Sequence, residues 1–247
     1  MKYILALLAG LALGGAAAVV LLYFNPLIER KAEVLPRDSD LVLHYVVPGG
    51  DLLAFTHSGG LPLPFKPAGI GPLWESTVRT AALSSLTLAG ADGRPAALAS
   101  RLSMPSPATD LLTRGLLLDD YWLITVPGQG SLFVHSLNNF WPLLKDSALP
   151  VSLLGRSWRG PREYHPTLGP GPGGTAVVTG GTGQFAGRRG SALEQYRLNG
   201  YSRAHGVEEL AGELALRLDA PSISGKRRAD ARNGEASITP PRPARRP

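Results

Sequence analysis

The sequence predicts an all-β protein, a sandwich or barrel of short antiparallel strands behind one apolar N-terminal helix. Three observations carry this. Between Asp40 and Leu218 the apolar residues fall into about eight to ten short runs, parted by turn signals every ~8–12 residues. Two of these runs alternate with a period of two, and beyond the N-terminal helix none reads as an amphipathic helix, although Leu210, Leu214 and Leu218 of the last run are also four apart. Finally, 30 Gly and 22 Pro make up about a fifth of the 247 residues, as a turn-rich fold requires.

The helix comes first. Residues 3–28 carry no charge, and the strongest apolar run is Tyr3 to Phe24. At 1.5 Å per residue this run covers about 33 Å, enough for a hydrocarbon core of roughly 30 Å. Tyr23 and Phe24 suit the interface, and Asn25-Pro26 stops the helix. Ala16-Ala17-Ala18 offers a signal-peptidase site, but the apolar run continues through Val19-Val20-Leu21-Leu22, which favours an uncleaved anchor. The expected organisation is an anchor over residues 1–28, a linker over 29–37, a β domain over 38–218 and a tail over 219–247. Lys2 favours a cytoplasmic N-terminus, whereas Arg30, Lys31 and Arg37 oppose it. A short N-tail with a long exported domain is the commoner arrangement. The expectation is therefore a single-pass protein of the inner (cytoplasmic) membrane with its β domain periplasmic.

Within the β domain, Leu41 to Val47 is a strand stopped by Pro48-Gly49-Gly50. Residues 59–72, with four prolines, read as a long loop. Ser85–Leu88 and Ala96–Met104 flank Gly90-Ala91-Asp92-Gly93-Arg94-Pro95, a hairpin signature. In the second arm Leu98, Ser100, Leu102 and Met104 alternate with Ala97, Ala99, Arg101 and Ser103. Leu111–Leu118 and Tyr121–Val126 are further runs, joined at Asp119-Asp120, which reads as a charged turn. Pro127-Gly128-Gln129-Gly130 turns the chain into Leu132–Leu137. Val151–Trp158 is a strand candidate, and Arg159–Pro172 reads as loop. Ser191–Leu198 and Glu209–Leu218 complete the set. Leu210, Gly212, Leu214, Leu216 and Leu218 alternate with more polar neighbours, and Gly212 favours strand over helix.

The charge is uneven. Seven basic and three acidic residues beyond Leu218 supply +4 of the net +6, so the β domain is close to neutral. The tail is rich in Arg and Pro with almost no large apolar residue, the composition of a disordered segment. It lacks stacking aromatics, so nucleic acid is not an expected partner. There is no Cys, which excludes disulfides, thiolate metal sites and a cysteine nucleophile.

Gly173–Gly190 admits two readings. Gly181-x-Gly183-x-x-Ala186 after Val177-Val178 matches a relaxed dinucleotide fingerprint. Yet it lies late in the chain, Gly187 and Gly190 make a poor helix start, and Arg203 stands where an acidic residue would be needed. The second reading is a tight turn between strands, with Gly180 to Gly183 supplying backbone freedom and Phe185 restarting a strand with its ring in the core. The pattern Gly180-Gly181-Thr182-Gly183-x-Phe185-x-Gly187-x-x-Gly190 resembles the hairpin of allene oxide cyclase-like and dirigent-like barrels. That resemblance implies an eight-stranded antiparallel (calycin-like) barrel around an apolar cavity, over roughly residues 38–218. The cyclase's strand-one Glu-x-Asn pair and cavity cysteine have no counterpart here, so the resemblance carries the fold and not the activity.

Site expectations follow. Glu194 shares a period-two face with Ala192, Tyr196 and Leu198. Inside an apolar barrel its carboxyl would have a raised pKa and could act as acid or base. Tyr196, His135, Asn138 and Trp141 are the candidates for ligand contact. The five histidines lack metal-ligand spacing, and neither metal nor cofactor is expected. The leading functional expectation is a barrel that binds a small apolar or amphiphilic molecule. The alternatives are a cyclase or isomerase using the same cavity, and a non-catalytic structural module of the cell envelope. The expected partners are the membrane through residues 3–24, the small ligand and a further copy of the chain. An inward carboxylate with a second polar group in hydrogen-bond reach would favour the enzyme, a wholly apolar cavity would favour binding, and a filled barrel would favour the structural module.

Overall fold

The computed structural model describes residues 2–24, 39–48, 81–155, 157–202 and 206–220. The linker expected over 29–37, the proline-rich loop over 59–72 and nearly all of the expected basic tail lie outside these residues. Helix α1 (Lys2–Tyr23) is apolar on every side and solvent-facing from Lys2 to Leu21. It is long and apolar enough to cross a membrane, a property it shares with signal sequences.

The rest is an antiparallel barrel. Its strands are β1 (Leu41–Pro48), β2 (Ala82–Ala89), β3 (Pro95–Pro105), β4 (Leu117–Val126), β5 (Gly130–Asn139), β6 (Trp158–Tyr164), β7 (Thr167–Gly169), β8 (Ala176–Gly181), β9 (Gly190–Ser202) and β10 (Gly206–Leu218). Eight of them run around the wall in the order β10-β1-β2-β3-β4-β5-β8-β9, and pairing of β9 with β10 closes the circle. Closure gives each of these eight strands a neighbour on both sides, β1 meeting β2 at His44–Ala89. Between β5 and β9 the wall is built in two pieces. β8 pairs β5 at Leu132–His135 and β9 at Gly190–Ala192, while farther along β7 pairs β5 and β6 pairs β9 from Tyr196 onward.

The glycine-rich stretch is the β8–β9 connection. Phe185 sits in a short 3₁₀ turn (Gly183–Phe185), buried against the barrel core, and the strand restarts only at Gly190. Gly183 adopts φ +59°, and a Cβ there would lie 2.2 Å from the Gln129 carbonyl oxygen. The amides of Thr182 and Gln184 donate to the carbonyls of Ser131 (2.8 Å) and Gln129 (2.7 Å). The donors that a phosphate-binding turn would offer are thus tied to the neighbouring β4–β5 hairpin.

Three local expectations change. Asp119 and Asp120 are not a turn but lie inside β4, one facing out and one in. Val151–Leu154 is helical: α2 (Trp141–Leu143), a π-helical turn (Leu144–Ala148) and α3 (Leu149–Leu154) form one stretch, and only Trp158 begins a strand. The expected loop after Arg159 contains β6 and β7. Short apolar runs do not distinguish a buried helix from a buried strand.

The interior has three levels. At the end that holds the β2–β3, β4–β5 and β8–β9 turns, Leu43, Leu88, Ile124, Leu132, Val178 and Leu216 are fully buried in an apolar plug. At the other end Leu143 and Val151 of the helical stretch pack on Tyr164, Tyr196, Leu198 and Tyr201. A polar level lies between them.

Candidate functional site

Strand alternation builds this level. On β3 the small Ala97 and Ala99 point inward, and Arg101 continues the same face. The bulkier Leu98, Ser100, Leu102 and Met104 of that alternation face outward. β4 contributes Asp120 and Trp122, β5 contributes Ser136 and Asn138, β9 contributes Glu194 and Tyr196, and β1 contributes Tyr45. The ring of Tyr45 lies over Gly212 of β10, its cross-strand partner, where a Cβ would fall 1.9 Å from Tyr45 Cζ. Glycine at 212 is what lets the tyrosine lie flat and reach the centre.

Arg101 is the hub. Its side chain is 12% exposed, against 0% for Asp120 and 1% for Glu194. Its Nη2 donates to Asp120 Oδ2 and its Nη1 to Glu194 Oε1 at 3.0 Å. Tyr45 OH donates to the same Glu194 oxygen at 2.5 Å. Asn138 Nδ2 reaches Glu194 Oε2 at 2.8 Å and Asp120 Oδ2 at 2.5 Å. The Glu194 amide, in the gap where β8 has left and β6 has not yet arrived, donates to Thr167 Oγ1 at 3.0 Å. The guanidinium carbon lies 4.9 Å from the Trp122 ring centre.

Two carboxylates share one guanidinium, and this sets the protonation chemistry. Burial pushes the Glu194 carboxyl up; Arg101 opposes the shift and Asp120 adds to it. Burial works to strip the charge from Arg101, but Asp120 and Glu194 outweigh it and hold the group more firmly protonated than usual. Burial, then Glu194, pushes the Tyr45 and Tyr196 hydroxyls well up, so both remain neutral donors. Arg101 Nε, Trp122 Nε1, Tyr196 OH, Asp120 Oδ1 and Asn138 Oδ1 are buried and unpartnered. Nearly all buried polar atoms in folded proteins have a partner, and five without one lie around this single ion cluster.

Of the residues singled out in the sequence, Glu194, Tyr196 and Asn138 meet in this interior. His135 does not. It lies on the outer wall, stacked on Tyr121 at 4.5 Å, with Nε2 3.0 Å from Asp119 Oδ1. Trp141 is buried where α2 begins, its amide bonded to Asn139 Oδ1 at 2.9 Å. The turn glycines, Gly180 to Gly190, lie at the opposite end of the barrel. Sequence reasoning missed Arg101, Asp120 and Tyr45. Arg101 left one signal, as the single charge in an otherwise small and apolar alternation. Among the described residues no group of three or more His, Cys, Asp or Glu side chains could hold a metal ion. No protein-family model matches the chain, and no curated protein matches it.

Proposed function

We propose that this protein is a membrane-tethered, extracytoplasmic barrel that binds a small amphiphilic molecule. The polar group of the ligand would sit at Arg101, Asp120 and Glu194. Its apolar part would lie along Trp122, Phe140 and Tyr196. One observation carries the reading: the five unpartnered polar atoms gathered on a buried ion cluster. Arg101, the partly exposed member, marks the way in. The fold supports kinship with allene oxide cyclase-like and dirigent-like barrels, which the turn motif suggested, as a proposal of shared architecture. The test is native mass spectrometry of the full chain extracted in mild detergent. Wild type is expected to carry a bound small molecule, and an R101M/E194Q variant to lose it. An empty wild type, or identical occupancy in the variant, would sink the proposal.

Glu194 favours a second reading, acid–base catalysis of the isomerase or cyclase type. It is an inward carboxylate with three side-chain donors in reach and a raised pKa, the environment from which enzymes draw general acids. Infrared titration of the folded protein should show a protonated-carboxyl band above the ordinary Glu range, absent in Glu194→Gln. Without that band Glu194 holds no proton to deliver.

A further inference from the structure

The outer wall of the barrel is divided. On β9 and β10 the outward positions include Arg197, Glu209, Glu213 and Arg217. Across β2, β3, β4, β5 and β8 they hold no Lys, Arg or Glu. The one carboxylate there, Asp119, is paired with His135. In their place stand Leu98, 58% exposed, and the partly exposed Tyr121, Leu123 and Phe133. Loss of charge together with gain of aromatics is the compositional mark of an interface core. A groove of about 410 Å³ runs over all five strands, from Leu83 past Tyr121, Leu123 and Phe133 to Thr179.

We infer that this wall is the surface on which a second copy of the chain docks. Three features select a second copy over other occupants. The wall carries both a hole (the groove) and a knob beside it (Leu98), as a self-complementary two-fold interface needs. Among the described residues of these five strands its one outward carboxylate, Asp119, is held by His135 of the same wall, so little free charge faces a second copy and nothing recruits a partner of opposite charge. Finally, five strands about 4.8 Å apart and four rows of outward residues about 6.8 Å apart give a footprint of roughly 650 Å². That is on the scale of the ~800 Å² per partner of a standard interface. The docking surface is the outer face of the wall and does not depend on the ligand proposed for the interior.

The chain has no Cys, so single cysteines report cleanly. Leu98→Cys, Leu123→Cys and Phe133→Cys, treated with a bifunctional maleimide in native membranes, should give a covalent dimer for at least one position. Ala211→Cys on the charged wall should give none. In mild detergent the wild-type chain should sediment as a dimer. Phe133→Glu should weaken self-association at least tenfold, and Arg217→Glu should leave it unchanged. Monomers in every case, cross-linking as strong at position 211, or adducts with a different protein or a membrane lipid would each overturn the inference.

Discussion

Replacing Arg101 by Met is the most direct test of the polar level. The substitution keeps an unbranched apolar stem of similar length and deletes the guanidinium. Asp120 and Glu194 then face each other in the interior with only Asn138 and Tyr45 to solvate them. Removing one partner of a buried ionic pair costs about 3–5 kcal/mol, because the other charge is left uncompensated. For a domain of this size each kcal/mol lowers the Tm by roughly 2–4 °C, so a fall of about 6–20 °C is expected near pH 8. The deficit should depend on pH. Burial raises the folded-state pKa of Glu194, so the stability linked to its proton is fully present below the unfolded value of about 4.3 and is lost as pH rises through the folded value. Arg101 holds that folded value down. Without it the value moves further up, and the loss extends to higher pH. The deficit of R101M relative to wild type should therefore be smaller at pH 5 than at pH 8. Thermal unfolding of the full chain in detergent, followed by circular dichroism at both pH values, measures this. A shift below about 1 kcal/mol, or a larger deficit in acid, would refute the assignment of Arg101 as the counter-ion of two buried carboxylates.

Three further outcomes follow from the geometry. Gly212→Ala places a methyl group inside the Tyr45 ring position; it should cost about 1–3 kcal/mol as an overpacked core, and Tyr45→Phe in the same background should add less than it does alone, since the Glu194 contact is already gone. Phe185→Ala, which empties a buried ring site at the turn end, should cost about 3–5 kcal/mol in denaturant unfolding, with occupancy of the distant polar level unchanged. The triple variant R101M/D120L/E194L, which replaces the charged trio together, should be more stable than R101M alone and close to wild type by thermal unfolding, while losing the bound small molecule.

How much of this was legible follows from the range of each signal. The barrel was readable because strand alternation and turn chemistry are local: Leu210 to Leu218 and the Gly90–Pro95 turn declare themselves within ten residues. Glu194 was readable for the same reason, since period two sets it beside Ala192, Tyr196 and Leu198. Parity could also have separated His135 from Asn138. They are three apart, and a strand sends such residues to opposite faces, as it does here. Asp119 and Asp120 were misread because adjacent carboxylates are poor strand formers; cross-strand partners, His135 outside and Arg101 inside, override that propensity. Arg101 was the hardest. Its partners lie 19 and 93 residues away, and only barrel closure makes a lone cation on β3 an interior group rather than a solvated one. Tyr45 is like it: its contact with Glu194 spans 149 residues.

The three levels of the interior also bear on why the charges are there. The turn-end plug and the helical end are apolar and closely packed, and a barrel built only of such levels would be stabilised without penalty. Desolvating two carboxylates and a guanidinium opposes folding, and their mutual attraction repays this only with complete hydrogen bonding. Here bonding is incomplete, since Arg101, Asp120 and Asn138 each keep one buried polar atom without a partner. An arrangement selected for stability alone would have closed those valences or replaced the trio with leucine, as its neighbours Leu118, Ile124 and Leu214 show the wall readily does. Gly212 sharpens the point. A glycine inside a strand weakens it, yet this one clears the place in which Tyr45 lies to reach Glu194. Two separate sacrifices of stability, one electrostatic and one conformational, converge on the same carboxylate, and the ligand proposed for Glu194 would account for both.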